Sequence, residues 1–429
     1  MFIKNYEDSK KIKMEFKFIG NAGGIFTGSN GTKILCDPWI VDGVFEDAWY
    51  HYPPLNTKLS DIQDVDGIYV SHIHPDHYDE RNFDFPKNIP LIILNEGPNF
   101  LKKNLINKGY NNFIEVKDNE TIKFKEFKLT LYKPFTKGIF EESLIGNLID
   151  SALVLENDGV TAINFNDNQP DENACSFLKN RFKNIDLAML NYNSAGPYPS
   201  CFDNLTTEKK ISENYRILKR NFDHLCNIIP ILQPKSVLPF AGAYIIGGKN
   251  YYKNEYLGTT TWDECAEYLN ENLKFNSKVF CLRENQTYDI KNQKQLEKYE
   301  KLDVNEMKKY IQSLKDKKYE YENDQMPDIS KLKDEINLAS TRFIDRVKRF
   351  NIELKSNVYL KIENKDVQIV KGKDTNRHLY CDLDLRLLNR ILHKKAHWNN
   401  AEIGTHINFK RIPNKMDPDV HTCMSFFHL

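Results

Sequence analysis

The hexapeptide His72-Ile73-His74-Pro75-Asp76-His77 constrains this chain more than any other segment. It follows directly on Gly67-Ile68-Tyr69-Val70, a short apolar run that reads as a strand. Three imidazoles and a carboxylate at the end of a strand can point at one place. Neutral imidazole and carboxylate oxygen suit zinc, iron or manganese, with no need of thiolates. On an extended or tightly turned segment, His72 and His74 face one ion while Asp76 and His77 face a neighbour. Two such ions can share and deprotonate a water, giving a hydroxide at neutral pH. Only 11 histidines occur in 429 residues, so three within six positions are not a chance cluster on the surface. Asp76 and His77 are also the catalytic candidates, because a carboxylate within hydrogen-bond reach can orient or deprotonate the water.

The rest of the chain supplies a β-rich frame for this motif. Residues 14–19 alternate, a turn with Gly20, Gly23 and Gly24 leads to Ile25, and 32–36 form the next strand before Asp37-Pro38-Trp39. Asn30-Gly31 between two such runs is a hairpin signal. Further strands are expected at 90–94, 113–116, 128–132, 151–156 and 160–165, separated by short helices and loops. Sheets stacked between helices are the expected outcome. From about residue 291 the composition turns to Lys, Glu and Tyr, with an approximate helical spacing through Leu296, Tyr299, Met307, Tyr310 and Leu314. A better stripe (Ile329, Leu332, Ile336, Ala339, Phe343, Val347, Phe350) follows a cap at Asp328 or Ser330. It reads as an amphipathic connector packed on the body. Beyond it, 358–362, 367–370 and a helical 383–392 form a small α+β unit. The expected division is therefore 14–290, 291–350 and 351–429.

Composition narrows the function classes. The 60 basic and 60 acidic residues cancel, which argues against a generally basic nucleic-acid binder. No stretch approaches eighteen consecutive apolar residues, so no transmembrane helix is expected. The charged N-terminus lacks the apolar core of an export signal. Eight cysteines without a CxxC pair read as reduced, mostly buried thiols. A cytoplasmic globular protein acting on a small molecule is the expectation.

The HxHxDH motif after a strand, in an αββα layout, resembles the metallo-β-lactamase superfamily. More of the chain resembles one branch, the catalytic part of CMP-N-acetylneuraminate hydroxylase and its bacterial relatives. The matching pieces are Asp37-Pro38-Trp39, Ser71 to His77, Asp150-Ser151, Ile163 to Asp167 with Pro170, Ser194 to Pro199, Gln233-Pro234, Pro239 to Gly242, and His397 to Gly404. The resemblance implies one or two divalent ions held by His72, His74, Asp76 and His77, with Asp167 as the second-sheet carboxylate that bridges them.

Two departures stand out. The family's third-motif histidine should lie shortly before Asp150, yet 137–150 contains none; Asp150, Glu141 or Glu142 are the substitutes on offer. The late histidine of many hydrolases is replaced by Phe240-Ala241-Gly242. Five of the 11 histidines fall at 393 and beyond, so His397 and Asn400 could reach over the metal mouth, completing coordination or touching substrate. The Gly/Pro-rich loop at 194–201 is expected to fold back over the site, where Tyr198 could hold an anion such as a phosphate.

Two chemistries follow from the resemblance. One is hydrolysis of a phosphorylated or nucleotide-linked amino sugar by metal-activated water. The alternative is iron-dependent hydroxylation of an N-acyl amino sugar nucleotide. The hydroxylase's Rieske ligands, Cys-x-His and Cys-x-x-His, are absent from this sequence, so the second chemistry would take electrons from a separate redox partner. A non-catalytic binding scaffold is the third alternative.

Overall fold

A computed structural model describes residues 14–97, 99–136 and 150–429. The first sheet contains β1 (Glu15–Gly20), β2 (Gly23–Thr27), β3 (Lys33–Cys36), β4 (Gly67–Tyr69), β5 (Leu91–Leu94) and β6 (Phe113–Val116). The second contains β7 (Thr121–Phe124), β8 (Phe127–Tyr132), β9 (Ala152–Asn157), β10 (Val160–Asn164), β11 (Ile185–Asn191), β12 (Pro234–Phe240) and β13 (Lys278–Val279). The chain then returns to the first sheet with β14 (Thr287–Asp289) and β15 (Lys294–Gln295). The strand orders are β15-β14-β1-β2-β3-β4-β5-β6 and β13-β12-β11-β10-β9-β8-β7.

Side-chain alternation explains why the sheets stack. Phe16, Phe26, Ile34, Tyr69 and Ile92 point from the first sheet into one core with Leu129, Leu131, Leu153, Ile163 and Leu187 of the second. Their sequence neighbours Ile25, Leu35, Ile68 and Ile93 point the other way, onto α1 (Phe100–Asn107) through Leu101 and Leu105. Outside the second sheet lie α2 (Glu172–Phe182), α3 (Thr207–Leu232) and α4 (Trp262–Asn272). The result is the expected αββα sandwich. The Asn30-Gly31 turn is where the motif placed it, with Gly31 at φ 87° and Ile25 paired to Leu35 across the hairpin. Gly24 has a packing reason: a Cβ there would stand 2.3 Å from the Phe16 ring.

The region after 290 begins as strand where an approximate helical spacing is read from the sequence. Lys294–Gln295 still pairs with the first sheet, and Leu296 donates its backbone N–H to Thr287 O. Helix α5 (Val304–Ser313) begins only where Asp303 caps it, accepting from the Asn305 and Glu306 amides. The later stripe is realised in α6 (Ile329–Arg349), capped by Asp328 and burying Leu332, Ile336, Ala339, Phe343 and Val347. This helix packs on the C-terminal unit rather than on the sandwich. The unit's four strands, β16 (Asn357–Ile362), β17 (Lys365–Val370), β18 (His378–Asp382) and β19 (Asn408–Ile412), run in the order β17-β16-β18-β19. So small a sheet needs a covering helix to close its core. Helices α7 (Leu385–Leu392) and α8 (Trp398–Ile403) complete the unit. Its core is continuous with Trp39, Phe45 and Trp49 from loops of the sandwich.

Two consequences can be measured. Phe343→Ala should cost about 3–5 kcal/mol in denaturant unfolding, against under about 0.5 kcal/mol for Leu338→Ala on the exposed face of the same helix. His406 lies in the seam between unit and sandwich, with Nε2 2.8 Å from Phe45 O and Nδ1 3.2 Å from the Tyr321 hydroxyl. Burial pushes its pKa down from the ordinary 6.5 to about 4. Between those values the unfolded chain binds a proton that the folded chain refuses. Stability is therefore full above pH 6.5 and falls as the pH drops towards 4, by about 2 kcal/mol at pH 5. Urea unfolding of wild type and His406→Gln at pH 7 and pH 5 should show a smaller acid loss in the variant.

Candidate metal centre

Strands β3, β4 and β5 run parallel, as do β10, β11 and β12. Their carboxyl ends, with the start of antiparallel β9, bring the polar loops to one edge of the sandwich. Such an edge is where ligands bind in sheets of this kind. Asp37 follows β3, Ser71 to His77 follow β4, Asp150 precedes β9, and Asp167 follows β10. The motif loop closes with a helical turn in which His77 and Tyr78 amides donate to His74 O at 3.0 and 2.8 Å.

Each imidazole is held by one nitrogen and leaves the other for the centre. Ser71 Oγ lies 2.9 Å from His72 Nδ1 and 3.2 Å from His77 Nδ1. Asp37 Oδ2 stands 3.1 Å from the same His77 nitrogen, and Asp37 Oδ1 accepts the Ser71 N–H at 2.8 Å. His74 Nε2 is 3.0 Å from Asn399 Oδ1 on α8. What remains, His72 Nε2 and His74 Nδ1, face each other at 2.9 Å. Two nitrogens about 2.1 Å from one ion, roughly a right angle apart, stand about 3 Å from each other. Among the described residues, His77 Nε2 has no partner in hydrogen-bonding geometry; it lies 3.4 Å from Asp76 Oδ2 and 3.5 Å from Asp167 Oδ2.

The carboxylates close two groups. His72, His74 and Asp150 form one, and His72, His77 and Asp167 the other, with donor atoms in each within 4.8 Å of one another. Asp150 Oδ1 lies 3.6 Å from His72 Nε2 and is buried with no hydrogen-bond partner among the described residues, although 32% of the side chain is exposed. Burial, with Asp167 nearby, raises Asp150 to about 7. Burial also drives His72 well below its ordinary value, with His77 and His74 adding to the shift. His77 goes the other way: burial opposes its charge, but Asp76, Asp167 and Asp37 outweigh that and raise it well above the ordinary value. Imidazoles pushed to opposite sides of their ordinary value among closely packed carboxylates are what a site built for cations presents. The donor set fits one or two divalent ions.

Other residues steer these donors. Asp167 Oδ1 accepts from Asn191 Nδ2 at 3.1 Å, and Asp76 Oδ2 accepts from Asn21 Nδ2 at 3.1 Å. The Phe240-Ala241-Gly242 segment supplies no ligand; instead Gly242 and Ala243 amides donate to Asn21 Oδ1 at 2.8 and 3.1 Å. The position that carries a histidine in many hydrolases here holds the asparagine that holds Asp76.

The remaining candidates divide. His397 adjoins the cluster, and burial, then His74, lowers it to about 4. It lines a cleft of about 770 Å³ with Asn400, Ile73 and Pro75. Asn399 reaches His74, while its neighbour Asn400 lines the cleft. Tyr198 does not lie over the centre. Its ring packs on Phe202 at 5.1 Å and under the Arg411 guanidinium at 4.7 Å, because the 194–201 loop is drawn to the C-terminal sheet. Glu141 and Glu142 lie outside the described residues. Asn21, Asp37, Ser71, Asn191 and Asn399 were not assigned roles from the sequence; only the closeness of Asp37 and Ser71 to strand ends hinted at them.

Two stacked mixed sheets carrying HxHxDH at the carboxyl end of a strand decide the fold. The chain has the metallo-β-lactamase fold. No family model matches it. A protein of Mycolicibacterium smegmatis named as a Rieske 2Fe-2S iron–sulfur protein is 30% identical over 242 residues, 53% of this chain and 43% of that one. The inactive cytidine monophosphate-N-acetylneuraminic acid hydroxylase of Homo sapiens is 23% identical over 260 residues, 58% of this chain and 48% of that one. The chain thus spans about half the length of the curated relatives it matches. Among solved structures, one named as a possible metal-dependent hydrolase from Veillonella parvula is 15% identical, covering 65% of this chain and 100% of that one at TM-score 0.45. CmlA, a diiron β-hydroxylase from Streptomyces venezuelae, is 12% identical, covering 64% and 54% at TM-score 0.45.

The Asp37 contact can be tested directly. Asp37→Asn keeps an acceptor for the Ser71 amide but removes the charge behind His77. Metal affinity should fall about 10–100-fold, read by competition with a chromogenic chelator.

Proposed function

We propose that the chain is a metal-dependent hydrolase whose centre joins His72, His74 and Asp150 to Asp76, His77 and Asp167. The observation that carries this reading is the pair of adjoining donor groups that share His72, with Asp167 Oδ2 3.8 Å from His72 Nε2 and 3.5 Å from His77 Nε2. A carboxylate so placed would be shared by two ions if both groups held one. Divalent ions held there supply a Lewis acid and a water acidic enough to act near neutrality. The chain's own groups do the rest. Asp76, fixed by Asn21, accepts a hydrogen bond from the attacking water and orients it. Asp37 and Ser71 keep His77 and His72 turned inward. The 770 Å³ cleft beside His397 is of a size for a small molecule and has Arg81, Lys103 and Lys394 in its walls, with Tyr78 and Phe100 between them. Glu46, Asp79, Glu80 and Glu320 share those walls, so the substrate class, a phosphorylated or nucleotide-linked amino sugar, rests on the resemblance. In this reading residues 14–290 carry the chemistry in the cytoplasm and 351–429, tied on by 291–350, form the far wall of the cleft.

A second reading rests on a specific observation. Two histidines and one carboxylate, as in His72, His74 and Asp150, are a donor set used by non-haem iron oxygenases. The names of the curated relatives point the same way. Hydroxylation of an N-acyl group would take dioxygen and two electrons from a redox partner, whereas hydrolysis takes only water.

Metal analysis of anaerobically purified protein separates the two. One or two zinc or manganese ions per chain, with turnover of acylated or phosphorylated sugars, support hydrolysis; two irons with an optical band support the oxygenase. His74→Ala should abolish both metal binding and activity while leaving the far-UV spectrum intact. Removing the ion with a chelator should lower the melting temperature, and restoring it at about 100 times Kd should return about 2.7 kcal/mol.

A further inference from the structure

A second constellation lies outside the donor groups and shares one residue, Asn21, with the surroundings of Asp76. His51 is buried, 3% exposed, against Trp39, with ring centroids 3.7 Å apart. Its Nδ1 lies 2.8 Å from Asp42 Oδ1, and the same oxygen accepts the His51 backbone N–H at 2.8 Å. Nδ1 is thereby committed to a carboxylate. Nε2 is buried and has no hydrogen-bond partner among the described residues. An unmade bond at a buried nitrogen costs about 1–3 kcal/mol, so a partner supplied by a bound molecule would be favourable there. His51 lines a cavity of about 190 Å³ with Asn21, Tyr52, Leu55, Ala243 and Arg283. Asn21 borders both places, because the amide that lines this cavity also donates to Asp76.

We propose that His51, oriented by Asp42, is the acid that protonates the leaving group, which occupies this cavity during hydrolysis. The inference rests on the hydrolase reading. In the acid form Nε2 carries the proton to be given, while Nδ1 stays on Asp42. As the water oxygen bonds to the carbonyl carbon or phosphorus, the bond from that centre to the leaving oxygen breaks. The leaving oxygen's new electron pair takes the Nε2 proton, and the proton released by the attacking water returns His51 to its starting state. Ester and water become acid and alcohol, with no other reactant. Asp42 acts through His51 and is a positioning residue. General acids of this kind contribute about 10²–10⁴-fold, and most where the leaving group is a poor one.

The test compares p-nitrophenyl with phenyl esters, of both acetate and phosphate, on zinc-loaded protein. p-Nitrophenolate departs without help, and phenolate needs a proton. His51→Gln should raise the p-nitrophenyl-to-phenyl rate ratio by about 100-fold, and Asp42→Asn should raise it less. An unchanged ratio, however large the loss of rate, would assign His51 a structural role and overturn the proposal. Should the wild type turn over none of the four esters, the hydrolase reading falls and this role falls with it. Ring ¹⁵N NMR of metal-free protein gives an answer independent of turnover. Neutral His51 should carry its proton on Nδ1, facing Asp42, and Asp42→Asn should shift that resonance. A proton on Nε2 in the wild type would overturn the dyad by itself.

Discussion

Ser71 is the joint on which the centre depends. Its N–H is given to Asp37, its carbonyl accepts from the Ser151 amide at 3.3 Å and hydroxyl at 2.9 Å, and its own hydroxyl lies between His72 and His77. One residue thus ties the end of β3, the motif loop and the start of β9 together, across two sheets. Tyr69 adds to the seam by donating its hydroxyl to Ser151 O at 2.8 Å, and Asn166 Nδ2 donates to the same carbonyl at 2.8 Å. These bonds are buried, where an unmade one is costly, so the separation between Asp150 and His72 is fixed by the sandwich rather than by the ions. The centre is largely preorganised.

In the proposed centre, carboxylates stand where the resemblance implies imidazoles. A site of three histidines and three aspartates offers harder oxygen donors than an all-histidine shell, and it brings more negative charge to offset the ions. Asn21 takes over the place of a late ligand by fixing Asp76 instead. A chain that gives up ligands in this way keeps an ion only if the remaining donors are stiff. The hydrogen bonds to Asn191, Asn21, Asp37 and Asn399 supply that stiffness.

The fold was legible because each strand alternates cleanly and each turn carries its own chemistry. Phe16, Phe26 and Ile34 separate from Ile25 and Leu35 at a glance, and Asn30-Gly31 names its hairpin. The motif histidines were legible because they are contiguous. Asp150 could be offered only as one of three carboxylates, since nothing local distinguishes it; its partner His72 is brought by another sheet. Tyr198 was misplaced because a Gly/Pro-rich loop has no period that says which neighbour will draw it. Leu296 and Tyr299 mimicked a helical step in a stretch where strand pairing and the late Asp303 cap decided otherwise. Asn399 and Asn400 are equivalent on paper, and only the pitch of α8 tells which of them reaches His74.

The contact between His74 and Asn399 also sets a timetable. A ribosome releases the motif loop long before α8, and domains tend to fold as they emerge. The sandwich can therefore be assembled while His74 still lacks the partner that turns its ring. During that interval an arriving ion meets a looser set of donors than the finished protein presents. Whether the first ion bound is also the one kept is then a matter of synthesis order as well as affinity.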